Sequence, residues 1–262
     1  MNSMLFNPFN LQERVVIVTG GGAGIGRVYC ERLAASGAFI VAADIDMAAA
    51  ESCVAAIELS GGKGLAVYCD ISDSISVETM VQKCVARFGR VDGLVNNAAL
   101  MSALPRGAWH EILEDDWDRV MAVNTRGLFL CCKAVWPYMK KQGGGKIVNI
   151  SSNRVFDGTP NRLHYSTSKA GVIGFTRSLA REVGDDNICV NAITPGFTTS
   201  DTQLASSDPQ YTKKMASIND RKAIKRTQTP DDLVGAMLFL LSPASDYISG
   251  QTINVDGGFV MH

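Results

Sequence analysis

"RVVIVTGGGAGIGRVYCERLAASG", residues 14–37, decides the fold. Its first part, Val15 to Thr19, is apolar or β-branched at every position instead of at every second one. Such a run suits a strand covered on both faces. Five glycines follow within seven residues, and then a helical pattern. Moving outward, the same alternation recurs. "FIVAADI" (39–45), "KGLAVYCDI" (63–71), "VDGLVNN" (91–97), "GKIVNISS" (145–152), "ICVNAITPG" (188–196) and "QTINVDGG" (251–258) read as further strands. Helical segments lie between them, one opened by Asp73 as an N-cap. Repeated β-α units predict an α/β fold: one doubly wound, right-handed parallel sheet with helices on both faces.

The chain has 262 residues, is 46% hydrophobic and carries a formal charge of -1. That length suits one large α/β domain or two small ones. No repeat, linker or low-complexity tract divides it, so residues 1–262 read as a single catalytic domain. The charge balance offers no footprint for nucleic acid. No apolar stretch approaches the roughly 18 residues that span a bilayer, and the start lacks a secretory signal pattern. Seven cysteines form no C-x-x-C and, with three scattered histidines, suggest neither a disulfide frame nor a metal site. A cytoplasmic, metal-free protein is expected, with most cysteines acting as small buried hydrophobes. One stretch breaks the pattern: residues 197–229 are polar and weakly periodic, and a long excursion of this kind reads as a lid.

The first strand runs into "TGGGAGIG", residues 19–26. Glycines there let the backbone turn tightly and approach a pyrophosphate, which the following helix N-terminus favours. Asp44 ends the next strand, 18 residues after Gly26. Its carboxylate can accept hydrogen bonds from an adenosine ribose diol and would repel a 2′-phosphate, so NAD is expected over NADP. The alternative for Asp44 is a cap on the helix after it.

A second stretch, "HYSTSKAGVIGFTRSLA" (164–180), offers two chemistries. Ser166 and Lys169 spell S-x-x-K, a spacing used in acyl transfer, while Tyr165 and Lys169 share a helix face. The acyl-transfer reading also needs motifs such as S-D-N and K-T-G, which do not occur, and no G-x-S-x-G elbow is present. Ser166 and Ser168 then read as ordinary helix residues. A tyrosine, whose free pKa is about 10, becomes a useful base near neutrality only beside positive charge, which Lys169 can supply.

Gly20, Gly24 and Gly26 (G-x-x-x-G-x-G), "NNAA" (96–99), Asn124 in "VNTRG", "NISS" (149–152), "YSTSK" (165–169) and "PG" (195–196) occur in one order along nearly the whole chain. Together they resemble the short-chain dehydrogenase/reductase family, in its compact type. The resemblance implies a Rossmann-type domain and a tetrad of Asn124, Ser152, Tyr165 and Lys169. Tyr165 would be the general base or acid, Ser152 would bond the substrate oxygen, Lys169 the nicotinamide ribose, and Asn124 would hold a proton-relaying water. Gly20, Gly24, Ile25 and Gly26 would line the pyrophosphate, and Asp70 and Ile71 the adenine. Asn97, Pro195, Gly196 and Ser200 would complete the NAD site. Ala99 stands where the family more often has Gly, and Ser200 where it usually has Thr. Homodimers or homotetramers are the family's habit. The alternative to an enzyme is a catalytically silent NAD-binding regulator or scaffold.

A finer resemblance, in "NRVFDGTPN" and the ending "YISGQTINVDGGFVMH", points to a branch oxidising secondary alcohols, benzylic-type alcohols and pyridoxal-like hemiacetals. It implies a small cyclic, aromatic or polyol substrate. Trp109 and its apolar neighbours in "AALMSALPRGAWHEI" suit an apolar wall for it, or alternatively pack under a loop. Arg154 could anchor a carboxylate or phosphate on that substrate, or pair locally with Asp157. Arg162 and His164 are expected to face solvent or a neighbouring subunit.

Overall fold

The computed structural model describes residues 9–101, 107–199 and 209–261. All seven expected strands are present: β1 (Val15–Thr19), β2 (Phe39–Asp44), β3 (Lys63–Tyr68), β4 (Gly93–Asn96), β5 (Gly145–Ile150), β6 (Ile188–Pro195) and β7 (Thr252–Val255). They form one parallel sheet in the order β3-β2-β1-β4-β5-β6-β7. Strand order reverses between β1 and β4, where Val18 pairs with Val95. In such sheets the crevice beyond the strand ends at this reversal is where a ligand binds.

The helices are α1 (Gly24–Ala35), α2 (Met47–Leu59), α3 (Ser74–Phe88), α4 (Glu114–Met121), α5 (Leu128–Lys141), α6 (Arg154–Asp157), α7 (Leu163–Glu182), α8 (Pro209–Arg221) and α9 (Asp231–Leu241). The two-faced burial read from β1 is literal. Val15 and Ile17 enter one core, shared with Val77 and Met80 of α3, Val135 of α5 and Val172 of α7. Val16 and Val18 enter the other, shared with Tyr29 and Leu33 of α1, Val54 of α2 and Met237 of α9. Period-two side chains on a strand with no polar face leave no other arrangement.

Local signals set the helix ends. Asp73 caps α3 by accepting the Ile75 N–H at 3.0 Å, as its position predicts. Gly89 closes the same helix at φ +78°. Asp46, not Asp44, caps α2, accepting the Ala49 N–H at 3.1 Å. Between α4 and α5 the chain makes a π turn, Ala122–Gly127. Gly127 is required there: a Cβ would lie 2.9 Å from Ile71 Cγ1 and 3.0 Å from the Ile71 carbonyl oxygen. The excursion after β6 contains the helix α8; a bridge between Thr198 and Gln228 ties the excursion's two ends. Its residues 200–208 lie outside the described residues. Six cysteines are buried and Cys189 is half-buried.

At the other end of the sheet, Asp92 is 6% exposed and accepts the Val15 N–H at 2.9 Å while pairing with Arg14 and Arg90 at 3.0 and 2.6 Å. Both arginines are about half exposed, so the ion pairs add little. The buried N–H is the costly partner to orphan. Asp92→Ala is expected to destabilise the fold by about 2 kcal/mol, roughly 4–8 °C in melting temperature. A thermal melt showing no change would refute this.

Candidate active site

The glycine loop leaves β1 at the sheet's C-terminal end. Gly20 and Gly24 take φ +64° and +54°, a region that favours glycine. Gly26 is there for space, because a Cβ would fall 1.9 Å from the Gly20 carbonyl oxygen. Ala23 precedes α1 without a capping side chain, and no acid stands in its first turn. The leading N–H groups of α1, on the exposed Gly24 and half-buried Ile25, therefore face outward as an anion cradle. A dinucleotide pyrophosphate fits this site by charge and by backbone approach.

Polar contacts lock the loop. Thr19 Oγ1 accepts the Asn97 and Ala98 N–H groups, each at 3.1 Å. Asn97 Nδ2 in turn donates to the Thr19 and Gly20 carbonyls at 3.0 and 3.2 Å. From the end of β2, Asp44 accepts the Gly22 N–H at 2.9 Å and the Asp46 N–H at 3.0 Å, one on each carboxylate oxygen. Beyond β3, one oxygen of Asp70 accepts the Ser72 N–H and hydroxyl at 2.8 and 2.7 Å. Ile71 is buried against the π turn.

β5 runs into Ser151 and Ser152, and Ser151 Oγ donates to the Lys169 carbonyl of α7 at 2.6 Å. Ser152 and Tyr165 come together there, and Ser152 Oγ accepts the Arg154 N–H at 3.3 Å. Tyr165 is 6% exposed, and burial raises its phenol above the ordinary value; Ser152 and the charges of Arg154 and Arg162 oppose that rise. Lys169 Nζ lies 5.8 Å from the Tyr165 ring centre and donates to the Ile150 carbonyl at 2.7 Å. Burial pulls this ammonium down to about 8. Asn124, in the π turn, uses its whole amide: Oδ1 accepts the Leu100 N–H at 2.7 Å, and Nδ2 donates to the Leu100 carbonyl at 3.2 Å and Ser168 Oγ at 3.0 Å.

Thus the structure gathers Asn124, Ser152, Tyr165 and Lys169 around one strand end, with the glycine loop two strands away. Pro195 and Gly196 adjoin the same cluster, since Asn153 N–H donates to the Pro195 carbonyl at 3.1 Å. Ser200 lies outside the described residues. Arg154 is held by two carbonyls, Thr159 at 2.7 Å and Pro160 at 2.8 Å, while Asp157 turns to the Thr159 N–H and hydroxyl. His164 corrects its expectation of a surface position: it is 2% exposed, and burial holds its imidazole below the ordinary value. Trp109 is 71% exposed and borders, with Trp117 and Leu163, a groove of about 440 Å³. Ser168, read as an ordinary helix residue, joins Asn124 to the Tyr165 carbonyl, which its hydroxyl reaches at 2.8 Å. Its place three residues after Tyr165, one turn along the same face, was the available signal.

Sheet order, glycine cradle and hydroxyl pair define a nucleotide-binding α/β oxidoreductase. The chain belongs to the short-chain dehydrogenase/reductase family: the family model described as "Enoyl-(Acyl carrier protein) reductase" matches residues 20–260. It is 41% identical over 253 residues to "Probable galactose dehydrogenase GalD" of Rhizobium meliloti, covering 95% of this chain and 96% of that one. It is 39% identical over 259 residues to the 2-dehydro-3-deoxy-D-gluconate 5-dehydrogenase of Dickeya dadantii, covering 98% and 99%. The crystal structure of levodione reductase superposes with a TM-score of 0.87 at 31% identity, covering 95% and 98%. The protein is an oxidoreductase acting on CH–OH groups or the corresponding carbonyls, and its family uses NAD(H) or NADP(H). Among the described residues, no helix is long and apolar enough to cross a membrane, and no cluster of three or more His, Cys, Asp or Glu could hold a metal ion.

Because a methyl at residue 26 collides with the Gly20 backbone, Gly26→Ala is expected to weaken dinucleotide binding at least about 100-fold, as misplacing a close backbone contact does. Titration of NADH fluorescence measures this, and near-wild-type binding would refute the cradle.

Proposed function

We propose that the protein is an NAD-dependent dehydrogenase of a small secondary alcohol, working through Tyr165. The observation that carries this is buried Tyr165 with Ser152 near it and buried Lys169 one turn on, at the C-terminal end of β5, next to the strand reversal. A bound nicotinamide supplies the hydride-accepting ring and a positive charge. Tyr165 Oη takes the proton leaving the substrate hydroxyl, within hydrogen-bond reach. Ser152 Oγ donates to the same oxygen as carbonyl character grows. Lys169, confined by the Ile150 carbonyl, bonds the nicotinamide ribose and favours the phenolate. Asn124 has spent its side chain on Leu100 and Ser168. Its backbone carbonyl, in a turn without the regular helical ladder, is then the group that holds a relay water.

Gly20, Gly24, Ile25 and Gly26 cradle the pyrophosphate. Asp70 and Ile71 border the adenine, and Asn97, Pro195, Gly196 and Ser200 the nicotinamide side. Asp44 supports NAD over NADP: each of its oxygens keeps a lone pair for a ribose hydroxyl, and its charge opposes a phosphate there. The substrate reading, a cyclic or polyol alcohol, is supported by relatives named for galactose, a deoxygluconate and levodione. Residues 1–262 act as one domain, with the 197–229 segment covering the substrate. Exposed Phe129 and Trp136 on α5 support a homo-oligomer, and seven free cysteines support a cytoplasmic setting.

Absorbance at 340 nm, with NAD or NADP and a panel of D-galactose, D-gluconate, 1-phenylethanol, cyclohexanol and pyridoxal, tests this. Oxidation with NAD is expected, rising with pH as the phenol ionises and flattening above about pH 8, where Lys169 sheds its charge. Tyr165→Phe should lower turnover by about 1,000-fold or more while NADH still binds. Turnover that survives the loss of the phenol would sink the mechanism. Arg154→Ala should raise KM for an anionic substrate about 10–100-fold and leave a neutral one nearly unchanged. Equal effects on both would remove Arg154 from substrate binding.

A further inference from the structure

One buried carboxylate gathers the C-terminal tail. Asp256, 2% exposed, follows β7 at the end of the sheet that carries the site. One oxygen accepts the Gly258 and Phe259 N–H groups, each at 3.0 Å. The other accepts the Val260 N–H at 3.0 Å and Asn153 Nδ2 at 3.1 Å. Three of these bonds fold the tail. The fourth reaches back 103 residues to the neighbour of Ser152.

Ser152 sits between two residues pinned to β6. Ser151 N–H donates to the Ile193 carbonyl at 2.8 Å, and Asn153 N–H to the Pro195 carbonyl at 3.1 Å. Those bonds fix the strand end within the sheet. The Asn153 side chain, itself buried, adds a tie that leaves the sheet. Asp256 also touches the far side of the same crevice: a Cβ on Gly196 would lie 2.6 Å from its own Cβ. Beyond it, the tail grips the turn after α8. Ile224 N–H donates to the Gly257 carbonyl at 2.9 Å, and the Arg221 guanidinium lies 4.1 Å from the Phe259 ring centre. Buried Lys222, bonded to Asn219 Oδ1 and the Arg226 carbonyl, supplies a cation on that side.

We propose that Asn153 and Asp256 form a positioning pair for the Ser152 hydroxyl, holding it in register with Pro195–Gly196 and with the tail. This rests on the reading that Ser152 bonds the substrate oxygen. An amide facing a carboxylate across 3.1 Å is a charge-assisted bond in a dry setting. Losing it frees the serine to shift by a fraction of an ångström, and misplacement on that scale costs rate more than binding. Neither residue touches the reacting atoms.

The test uses D-galactose and 1-phenylethanol with NAD and NADP. Asn153→Ala cuts the tie and leaves the three tail bonds in place. It is expected to lower kcat about 10-fold, to change KM for the dinucleotide less than about 2-fold, and to move the pH profile to the alkaline side, because a displaced Ser152 no longer favours the phenolate. Asn153→Asp puts two carboxylates face to face, and kcat should fall further at pH 8. The double variant N153D/D256N restores a donor–acceptor pair with the roles exchanged. Its kcat should exceed that of Asn153→Asp at least 3-fold, although Val260 N–H has lost its acceptor and the melting temperature stays low. Wild-type kcat and pH profile in Asn153→Ala would overturn the proposal. So would a double variant no faster than Asn153→Asp. If the wild type turns over neither alcohol with either dinucleotide, the functional reading fails first and the pairing falls with it.

Discussion

The joint between Thr19 and Asn97 carries the site. A parallel sheet covered on both faces has no polar surface except at its strand ends, so everything chemical must be assembled there. The strand order reverses between β1 and β4, and the chains leaving these two strands diverge. Thr19 Oγ1 holds them together by accepting two consecutive N–H groups, and Asn97 answers with its amide. The crevice is thus braced by the same polar atoms that would otherwise be exposed at the strand ends. Asn96, one residue earlier, points the opposite way into the core. It begins a buried chain through Asn149 to Thr176, with 2.9 Å at each step, which ties β4 and β5 to α7.

The site's electrostatics follow from depth. Tyr165 and Lys169 are both buried, and burial disfavours the charged form of each: the phenol is raised and the ammonium is lowered. Burial therefore holds the two groups nearer to neutrality than free side chains would be. The partial offset comes from Ser152 and from the charges of Arg154 and Arg162, both of which precede α7 in sequence. Lys169 instead spends its proton on the Ile150 carbonyl, so its place beside the tyrosine is set by the strand end. The end of β5 thus sets the orientation of the lysine.

Much of this was legible in the chain, and the legible part is local. Strands are readable because their residues are apolar at consecutive positions, and the Asp73 cap because the N–H it accepts lies two residues away. The positions 124, 152, 165 and 169 stand out because motifs in a fixed order mark them, and the fold brings them to one end of the sheet. What could not be read depends on distant partners. The Asn153–Asp256 bond spans 103 residues, and no local pattern marks either end. His164 faces inward because α7 begins at Leu163 and turns it toward the core, a rotation that its polar sequence neighbourhood does not mark. Arg154 had Asp157 within reach in sequence, but the turn through Thr159 and Pro160 offered it two carbonyls first. Helix α8 carries little apolar periodicity, because its residues are mostly polar.

The π turn at Ala122–Gly127 has a further consequence for how the layers fit. Each residue of an α-helix advances by about 100° around its axis. A wider turn inserted between α4 and α5 therefore resets the angular phase of everything downstream. Upstream of it α4 packs on α7, and downstream α5 packs on α3. A single uninterrupted rod would have to present one continuous stripe to both neighbours. The rotation lets one nearly continuous helix aim two different stripes in two directions, with Asn124 at the point where the stripe changes sides.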